Sequence, residues 1–596
     1  MNIDLVLRKA IQEAFQYVFE LAIPLADINL QPTRKEFGGT HTLVVFPFTA
    51  TCKVPHEVIA SKIGAWLQEN TQVIAGFNVV KGFLNLSIKD AIWLEYFSQM
   101  YQDDHLCYLP PKGQKIVVEY SSPNTNKPLH LGHLRNNFLG HAVSEILQAA
   151  GYEVYKVNLI NDRGIHICKS MVAYQHWGRG ETPESSGLKG DQLVGKYYVK
   201  FDQVYKEQVA ALTQTLGDAE QAAKQAPLLQ EAQAMLKQWE TGDKEILALW
   251  KKMNGWVYDG FDMTYKKLGV TFDKVYYESQ TYLLGKEVVA EGLAKGIFYK
   301  KQDGSVWIDL TQEGLDEKLI LRADGTSVYI TQDLGTADLR YQDFKPNKLV
   351  YVVGNEQDYH FEVLAKIMAR LGRPYAKDLH HLSYGMVDLP TGKMKSREGT
   401  VVDADMLIDE MMETAEEHTR ELGKIDGFSK EEAKELYHIL AMGALKYFLL
   451  RVDAKKRLLF DPQASIDFQG DTGPFIQYTH ARIAAVLRKV EQAGITFDRT
   501  LIDSTLNLHP LEREVIVELV AFSKKLQEAA IAYAPAILAQ HVLEIAKAYN
   551  RMYAELSILH EQDATIQLFR IQLSVLVARV IKTIMHLLGI VVPERM

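Results

Sequence analysis

Apolar residues recur at two periods along this chain, and the places where the period changes outline its elements. Ile116, Val117 and Val118 form a continuous β-branched run of the kind a buried parallel strand carries. Leu134, Phe138, Ala142, Ile146 and Ala149 follow at helical spacing, Gly151 stands where a left-handed C-terminal cap belongs, and EVYKVNL then alternates as a second strand. The unit is β-α-β. Ahead of it, residues 1 to about 110 read as a compact α+β module: helix in LRKAIQEAFQYVFE, strand in HTLVVFPF, helix in HEVIASKIGAWLQEN and a closing strand in NVVKGFLNLSI. Pro110, Pro111 and Gly113 make a linker out of it.

Beyond the unit, residues from 180 to about 250 turn Ala/Gln-rich and helical, an insertion expected between the halves of a doubly wound sheet. Strands are expected again in SVWIDL and TSVYITQDLG, and KLVYVVGNEQDYHFEVLAKIM reads as strand, polar turn and helix. From about residue 405 the apolar stripes are helical throughout, which predicts an antiparallel bundle. The expected fold is a doubly wound parallel α/β sheet at residues 111–425, with an N-terminal α+β domain at 1–110 and an all-α bundle at 426–596.

Composition narrows the class. A chain of 596 residues calls for several cores, and 47% hydrophobic with 24% charged residues is ordinary for a soluble protein. The sequence shows no evident apolar run long enough for a bilayer, and the amphipathic start lacks a signal-peptide core, so no membrane partner and a cytoplasmic location are expected. Cys52, Cys107 and Cys168 form no CxxC pair, which disfavours disulfides and structural zinc. A net charge of −9 argues against a coat on nucleic acid but leaves room for a specific RNA partner met by local patches. Lys446, Arg451, Lys455, Lys456 and Arg457 form one such patch, although a solvated face is the commoner meaning of such a run.

The candidate chemistry sits at the joint of the β-α-β unit, in His130-Leu131-Gly132-His133. A helix N-terminus offers unpaired N–H groups and a positive dipole end to phosphate, and two histidines three apart can donate to one polyphosphate. Gly132 removes a Cβ where a flat base would approach, and Lys127 lies in the turn-rich PNTNKP just before. Nucleotidyl transfer needs mainly orientation and charge neutralisation, which this set supplies. Polar clusters stand at other strand ends: Asn161 to Gly164, and Gly354, Asn355, Glu356, Gln357, Asp358 and His360. Tyr329 and Asp333, four apart, suit a guanidinium if a helix begins there, and suit a plain helix end equally well. GKMKSREG carries Lys393, Lys395 and Arg397 between glycines, as a loop closing on a triphosphate would.

HLGH in this setting resembles the HIGH signature of class I aminoacyl-tRNA synthetases. EYSSPNTNKPLHLGHLRNN, YITQDLG, YVVGNEQDYH, LSYGMV before GKMKSREGTVV, IDFQGDTGPFIQYTHARI and the terminal VPERM together resemble the arginyl-tRNA synthetases. That resemblance implies a Rossmann-type catalytic domain that activates L-arginine with ATP as an adenylate and transfers it to tRNA(Arg), releasing AMP and pyrophosphate. It implies that Tyr329 and Asp333 hold the guanidinium with Glu119 nearby, that Asn124 and Gln357 address the amino acid's backbone groups, and that Ser122 is also among the arginine-binding residues. ATP would meet His130, Gly132, His133, Gly354, Gly385, Met386, Lys393 and Met394, with Lys395 assisting catalysis and Mg2+ accompanying the phosphates. The usual second lysine of the KMSKS loop is Ser396 here, so Lys127 is expected to share its work. Phe83 and Asn85 would touch the tRNA D-loop, and Tyr549, Tyr553 and Met596 its anticodon arm. A monomer that requires tRNA before activating arginine is expected, with no editing domain. Two rivals remain on the residues alone: a small-molecule nucleotidyltransferase, and an inactive synthetase-like RNA-binding module.

Overall fold

The computed structural model describes residues 3–34, 36–106, 108–389, 402–421, 423, 427–496, 503 and 505–596. Cys107 and the whole GKMKSREG segment lie outside these residues.

The N-terminal module is α+β. Helix α1 (Ile3–Phe19) buries Leu7, Ile11, Ala14 and Phe15, one helical stripe. Strands β1 (Leu30–Pro32) and β2 (His41–Val44), helix α2 (His56–Asn70), strands β3 (Ile74–Val80) and β4 (Phe83–Ile88) and helix α3 (Asp90–Gln102) come next, with antiparallel strand order β1-β2-β4-β3. Two expectations change here. HTLVVFPF leaves the sheet after Val44, and Phe46–Phe48 is a 3-10 turn, since Pro47 has no N–H for a ladder. NVVKGFLNLSI is a hairpin rather than one strand: Lys81 (φ 47°) and Gly82 (φ 80°) both take the left-handed conformation of a two-residue turn.

The central sheet begins with β5 (Lys115–Glu119), which leads through the HLGH turn into α4 (Leu131–Ala149) and on to β6 (Glu153–Ile160). Gly151 has φ 89°, and a Cβ there would meet the Pro110 carbonyl at 2.2 Å, so the cap position admits only glycine. Helices α5 (Ile165–Trp177), α6 (Gly190–Leu216) and α7 (Lys244–Leu268) then intervene before β7 (Lys274–Tyr277) pairs with β6. The helical insertion therefore falls inside the first half of the sheet, between β6 and β7, and not between the halves. A small antiparallel sheet of β8 (Tyr299–Lys300), β9 (Val306–Ile308) and β10 (Lys318–Leu321), followed by α8 (Tyr329–Phe344), joins the halves instead. TSVYITQDLG is not a strand, because α8 starts at Tyr329. Its β-branched Val328, Ile330 and Thr331 imitate strand composition, yet Ile330, Leu334 and Ala337 form the buried stripe of a helix.

β11 (Lys348–Gly354), α9 (Asp358–Arg370) and β12 (Leu379–Tyr384) complete the parallel order β12-β11-β5-β6-β7. The strand order reverses between β5 and β11, and ligands of such sheets bind at the carboxyl ends beside this switch. β13 (Val387–Asp388) pairs in parallel with β14 (Leu458–Leu459), stitching the sheet domain to the C-terminal helices. These are α10 (Ala404–Glu421), α11 (Lys430–Leu450), α12 (Gly473–Gln492), α13 (Pro510–Ala532), α14 (Pro535–Glu555) and α15 (Ala564–Leu587).

Two readings of this helical part are corrected. α15 is long and apolar enough by composition to cross a membrane, with mean hydropathy 1.5, so an apolar run of that length does exist. It packs against α12 and α14, and its Arg570 is ion-paired at 2.7 Å with Glu512, itself buried; α15 is a core helix of the bundle. Lys446 is no member of a surface patch. It is buried, donates to the Gly589 carbonyl and lies over the Phe138 ring of α4, and burial pushes its ammonium down to about 8. Arg457 is likewise taken up by Asp388.

Candidate active site at the start of the HLGH helix

Backbone geometry places the site. Between β5 and α4, Ser121 (φ 75°) and Ser122 (φ 46°) adopt left-handed conformations costly for residues with a Cβ. Two buried amides hold them there: Asn136 accepts from the Ser121 N–H at 2.5 Å, and Asn158 from the Ser122 N–H at 2.9 Å. Asn136 also donates to the Val352 carbonyl of β11 at 2.7 Å, so one side chain spans the switch point. Buried Arg135 fixes the same helix from the other side, donating to the carbonyls of Gly385 (2.7 Å), Lys456 (2.9 Å) and Ala454 (3.0 Å).

His130 is the N-cap of α4. Its Nδ1 accepts from the Gly132 N–H at 3.1 Å, while the Nδ1 of His133 accepts from the His130 N–H at 3.1 Å, a capping box built from two imidazoles. A neutral ring that accepts at Nδ1 carries its proton at Nε2, which leaves each histidine one outward donor. Burial, with the nearby Lys127 ammonium second, pushes His130 down to about 4, and burial with the His130 and Lys127 charges depresses His133 as well. Both are therefore neutral donors near pH 7. Gly132 has a further reason to be glycine: a Cβ would stand 3.0 Å from Cε1 of His130, in the way of the ring folded over the cap. Lys127 is half-buried, and desolvation lowers its ammonium. The chain returns to this point after residue 401, since Asp403 forms an antiparallel bridge with His130 and the Ala404 N–H donates to the Leu129 carbonyl at 2.8 Å.

The acidic side of the cleft lies at the end of β5 and the start of α8. Tyr329 and Asp333 share a face of α8 one turn apart, so the helix needed for the guanidinium reading is present. Tyr329 is 78% exposed, and Asp333 is held by Nε2 of His360 at 2.6 Å. Asp333 is not a helix cap, because the N-cap is Val328. Glu119 is buried, and its Oε2 lies 2.5 Å from Nη1 of Arg340, which is buried too. Burial raises its carboxyl, opposed by Arg340 and Ser122, and the Asp333 charge raises it further. Glu119 and Ser122 are thus spent on one another and on Arg340, Ser122 donating at 2.9 Å, rather than free for a ligand. Glu119, Arg340 and Asp333 sum to one negative charge, the complement of a single guanidinium. Glu278 adds a carboxyl that burial pushes up to about 7.

The remaining expected ligands are spread around this cleft. Asn124 is exposed and bridges Asn161, Gln357 is exposed on the turn after β11, and Gly354 ends β11 where a Cβ would run into the Glu356 carboxylate at 2.5 Å. Gly385 has both backbone groups engaged, donating to Ala454 and accepting from Arg135, so it serves as wall and not as a hydrogen-bonding edge; Met386 is half exposed. Lys393, Met394 and Lys395 lie outside the described residues. Among the described residues no group of three His, Cys, Asp or Glu could hold a metal.

Residues 98–461 match the family model for class I arginine tRNA synthetase catalytic domains, and residues 476–596 match the DALR anticodon binding domain. A curated arginine–tRNA ligase of Amoebophilus asiaticus is 89% identical over the full length of both chains. The chain belongs to the class I arginyl-tRNA synthetases. One from Bacteroides fragilis is 54% identical over 96% of each chain. The solved arginyl-tRNA synthetase of Thermus thermophilus matches over 100% of both chains with a TM-score of 0.81 at 23% identity, a likeness of fold. That of Plasmodium falciparum gives 0.77 at 18% identity, over 100% of this chain and 99% of the other.

Several readings that came with the family resemblance meet obstacles in the structure. Tyr549 is fully buried and donates to Ser574 at 3.0 Å, so it pins α14 to α15 and offers nothing to RNA. Tyr553, one turn on, is exposed with Arg482 over its ring, and Met596 packs partly against the core. Asn85 is buried, accepting from Thr42 at 2.6 Å and donating to Asn78 at 2.7 Å, while Phe83 at the strand's start stays accessible. Asp162 proves a structural hub, accepting from Ser279 and Tyr258 at 2.7 to 2.8 Å. Sequence reasoning missed Arg340, Asn136 and Arg135. Each is a polar residue on a helix that reads as surface, and only long-range pairing reveals it.

Proposed function

We propose that the chain joins L-arginine to tRNA(Arg) through an arginyl-adenylate, with ATP as the second substrate. The observation that carries this reading is the juxtaposition, at the β5/β11 switch point, of a phosphate-ready helix start and an acidic cleft at Asp333. The α-carboxylate of arginine attacks the α-phosphorus of ATP, the new P–O bond forms and pyrophosphate departs. A terminal ribose hydroxyl of the tRNA then attacks the carbonyl carbon and AMP leaves.

In this scheme Nε2–H of His130 and of His133 donate to phosphate oxygens, and Lys127 neutralises charge as it builds on the leaving pyrophosphate. Asp333 and Tyr329 receive the guanidinium, with Asn124 and Gln357 on the amino acid's backbone groups. Glu119, fixed by Arg340 and Ser122, shapes the floor. A lysine substrate would leave the carboxylate's planar face half matched, which is the basis of selectivity. Mg2+ belongs with the nucleotide: the Asp403 carboxylate beside His130 is engaged by Gln192 and the Asp405 N–H, and among the described residues no group of three His, Cys, Asp or Glu could hold a metal, which fits an ion held by phosphate oxygens and water. Lys393 and Lys395 are assigned to the same phosphates, Gly354 and Met386 to the walls around adenine, and Phe83 and Tyr553 to the tRNA. A monomer in the cytoplasm completes the reading.

The test is charging of a tRNA(Arg) transcript with labelled arginine, scored by acid-precipitable counts. ATP-dependent labelling by arginine, and none by lysine, supports the proposal. Absence of labelling with intact, folded protein contradicts it.

A further inference from the structure

The YVVGNEQDYH stretch ends in a histidine to which the reading above gives no task. His360 is the third residue of α9, and its turn is pinned on either side. The Asp358 carboxylate lies 3.1 Å from Nδ1 of His381 on β12, and Phe361 is buried with its ring stacked 4.4 Å from that same imidazole. Arg373, just past the helix, forks the Asp338 carboxylate of α8 at 2.7 to 3.0 Å. α8 carries Asp333 and α9 carries His360, so framework contacts on both helices set how the two side chains meet.

Nε2 of His360 meets Oδ2 of Asp333 at 2.6 Å, and among the described residues this is the one hydrogen bond that the Asp333 carboxylate makes. An ionised carboxylate only accepts, so the ring nitrogen donates, and a bond to a charged acceptor is among the stronger kind. The Asp333 side chain is still 34% exposed, so Oδ1 and the second lone pair of Oδ2 remain for a ligand. What such a restraint does depends on the cation that arrives. A guanidinium is planar and presents its N–H donors as a rigid fork, so its match to a carboxylate depends on how that carboxylate is turned. An ammonium is a compact charge with three rotatable donors, and a carboxylate that swivels serves it nearly as well. An unrestrained aspartate has to be ordered as the fork docks, which weakens binding by up to about tenfold. A carboxylate ordered beforehand spares arginine that loss and gives lysine little.

We infer that His360 is a positioning residue for amino-acid selection: its Nε2–H fixes the Asp333 carboxylate in one orientation, and the restraint favours the planar fork of arginine over the ammonium of lysine. His360 acts through Asp333 and not on the substrate. The inference rests on the arginylation reading above and adds the device that turns a single carboxylate into a shape-selective one.

The experiment is ATP–pyrophosphate exchange by the full-length protein with tRNA(Arg) present, reading the arginine KM, the ATP KM and the inhibition constant of lysine against arginine. For His360→Ala the arginine KM should rise about tenfold, while the ATP KM, the saturated rate and the lysine constant each stay within about twofold. His360→Asn, whose amide is too short to reach Asp333, should repeat that pattern, and it gives the same reading if the alanine variant folds poorly. His360→Gln places an N–H donor at about the reach of Nε2 and should restore the arginine KM to within about threefold of wild type. In an Asp333→Asn background, His360→Ala should add less than about twofold to the arginine KM, because no carboxylate is left to orient. An unchanged arginine KM in both the Ala and Asn variants, equal losses for arginine and lysine, or no rescue by glutamine would overturn the inference. If wild-type protein exchanges with arginine while the variants fail in one of those ways, the positioning role falls and the arginylation reading stands; if wild-type protein shows no exchange with arginine, both fall.

Discussion

Replacing Arg340 by Met should be among the most damaging single changes in the sheet domain, and the structure sets its size. Nη1 of Arg340 lies 2.5 Å from Oε2 of Glu119, both side chains are buried, and the rings of Tyr276 and Tyr351 stand 5.5 and 5.2 Å from the guanidinium. At an effective dielectric of about 20, two unit charges at this separation attract by about 7 kcal/mol, most of which offsets the cost of taking both out of water. Arg340→Met removes the attraction and leaves the carboxylate buried alone, so about 3–5 kcal/mol of stability should be lost. Glu119→Gln with Arg340→Met leaves no buried charge, and the pair of changes should cost at least about 2 kcal/mol less than the sum of the single ones. Urea unfolding of all four proteins in the cycle at pH 7.5 measures this. The arginine KM of the double variant should rise less than tenfold, because Asp333 still supplies the site's charge. A single variant within about 1 kcal/mol of wild type, or strict additivity, would refute the idea that Glu119 is framework held by Arg340.

Asp333→Asn keeps the shape and removes the charge; with the carboxylate about one third exposed, a loss of about 2–3 kcal/mol is expected, seen as a 30- to 150-fold rise in arginine KM with ATP KM little changed. Lys127→Ala should slow pyrophosphate exchange at saturating arginine and ATP at least tenfold, and near wild-type turnover would remove Lys127 from the chemistry. Tyr549→Phe should cost about 1 kcal/mol in thermal unfolding and leave tRNA affinity unchanged, since its hydroxyl serves Ser574. His130, His141 and His541 are pushed by burial to about 4, 3 and 3, below their unfolded value, so the unfolded chain binds the extra protons. Stability should hold above about pH 6.5 and fall as pH drops from there towards 4, by up to about 1.4 kcal/mol per pH unit for each group. His141→Gln should flatten that fall in urea titrations, and an unchanged slope would count against its burial as neutral imidazole.

How much of this was legible in the chain varies with the range of the forces involved. The β-α-β unit around HLGH could be read because a continuous β-branched run gives way to period 3.6 and closes on a glycine that only a left-handed cap explains. The seats of His130 and His133 came from the same local signals. The failures were set by tertiary partners. The Lys81–Gly82 turn lacks the usual Asn-Gly signal, so a hairpin read as one strand. Val328, Ile330 and Thr331 carry strand propensity that helix packing overrides. Glu119 looked like a ligand because nothing local betrays Arg340, which lies more than two hundred residues away along the chain. Tyr549 and Lys446 sit on helices where an apolar stripe wraps too broadly for the sequence to tell inner from outer faces.

The most direct measurement is ATP–pyrophosphate exchange with each of the twenty amino acids, with and without tRNA. The account predicts exchange with arginine alone, appearing only when tRNA(Arg) is present, and abolished when His130 and His133 are both replaced by alanine. Exchange with another amino acid in place of arginine, or exchange that survives the double replacement, would contradict it.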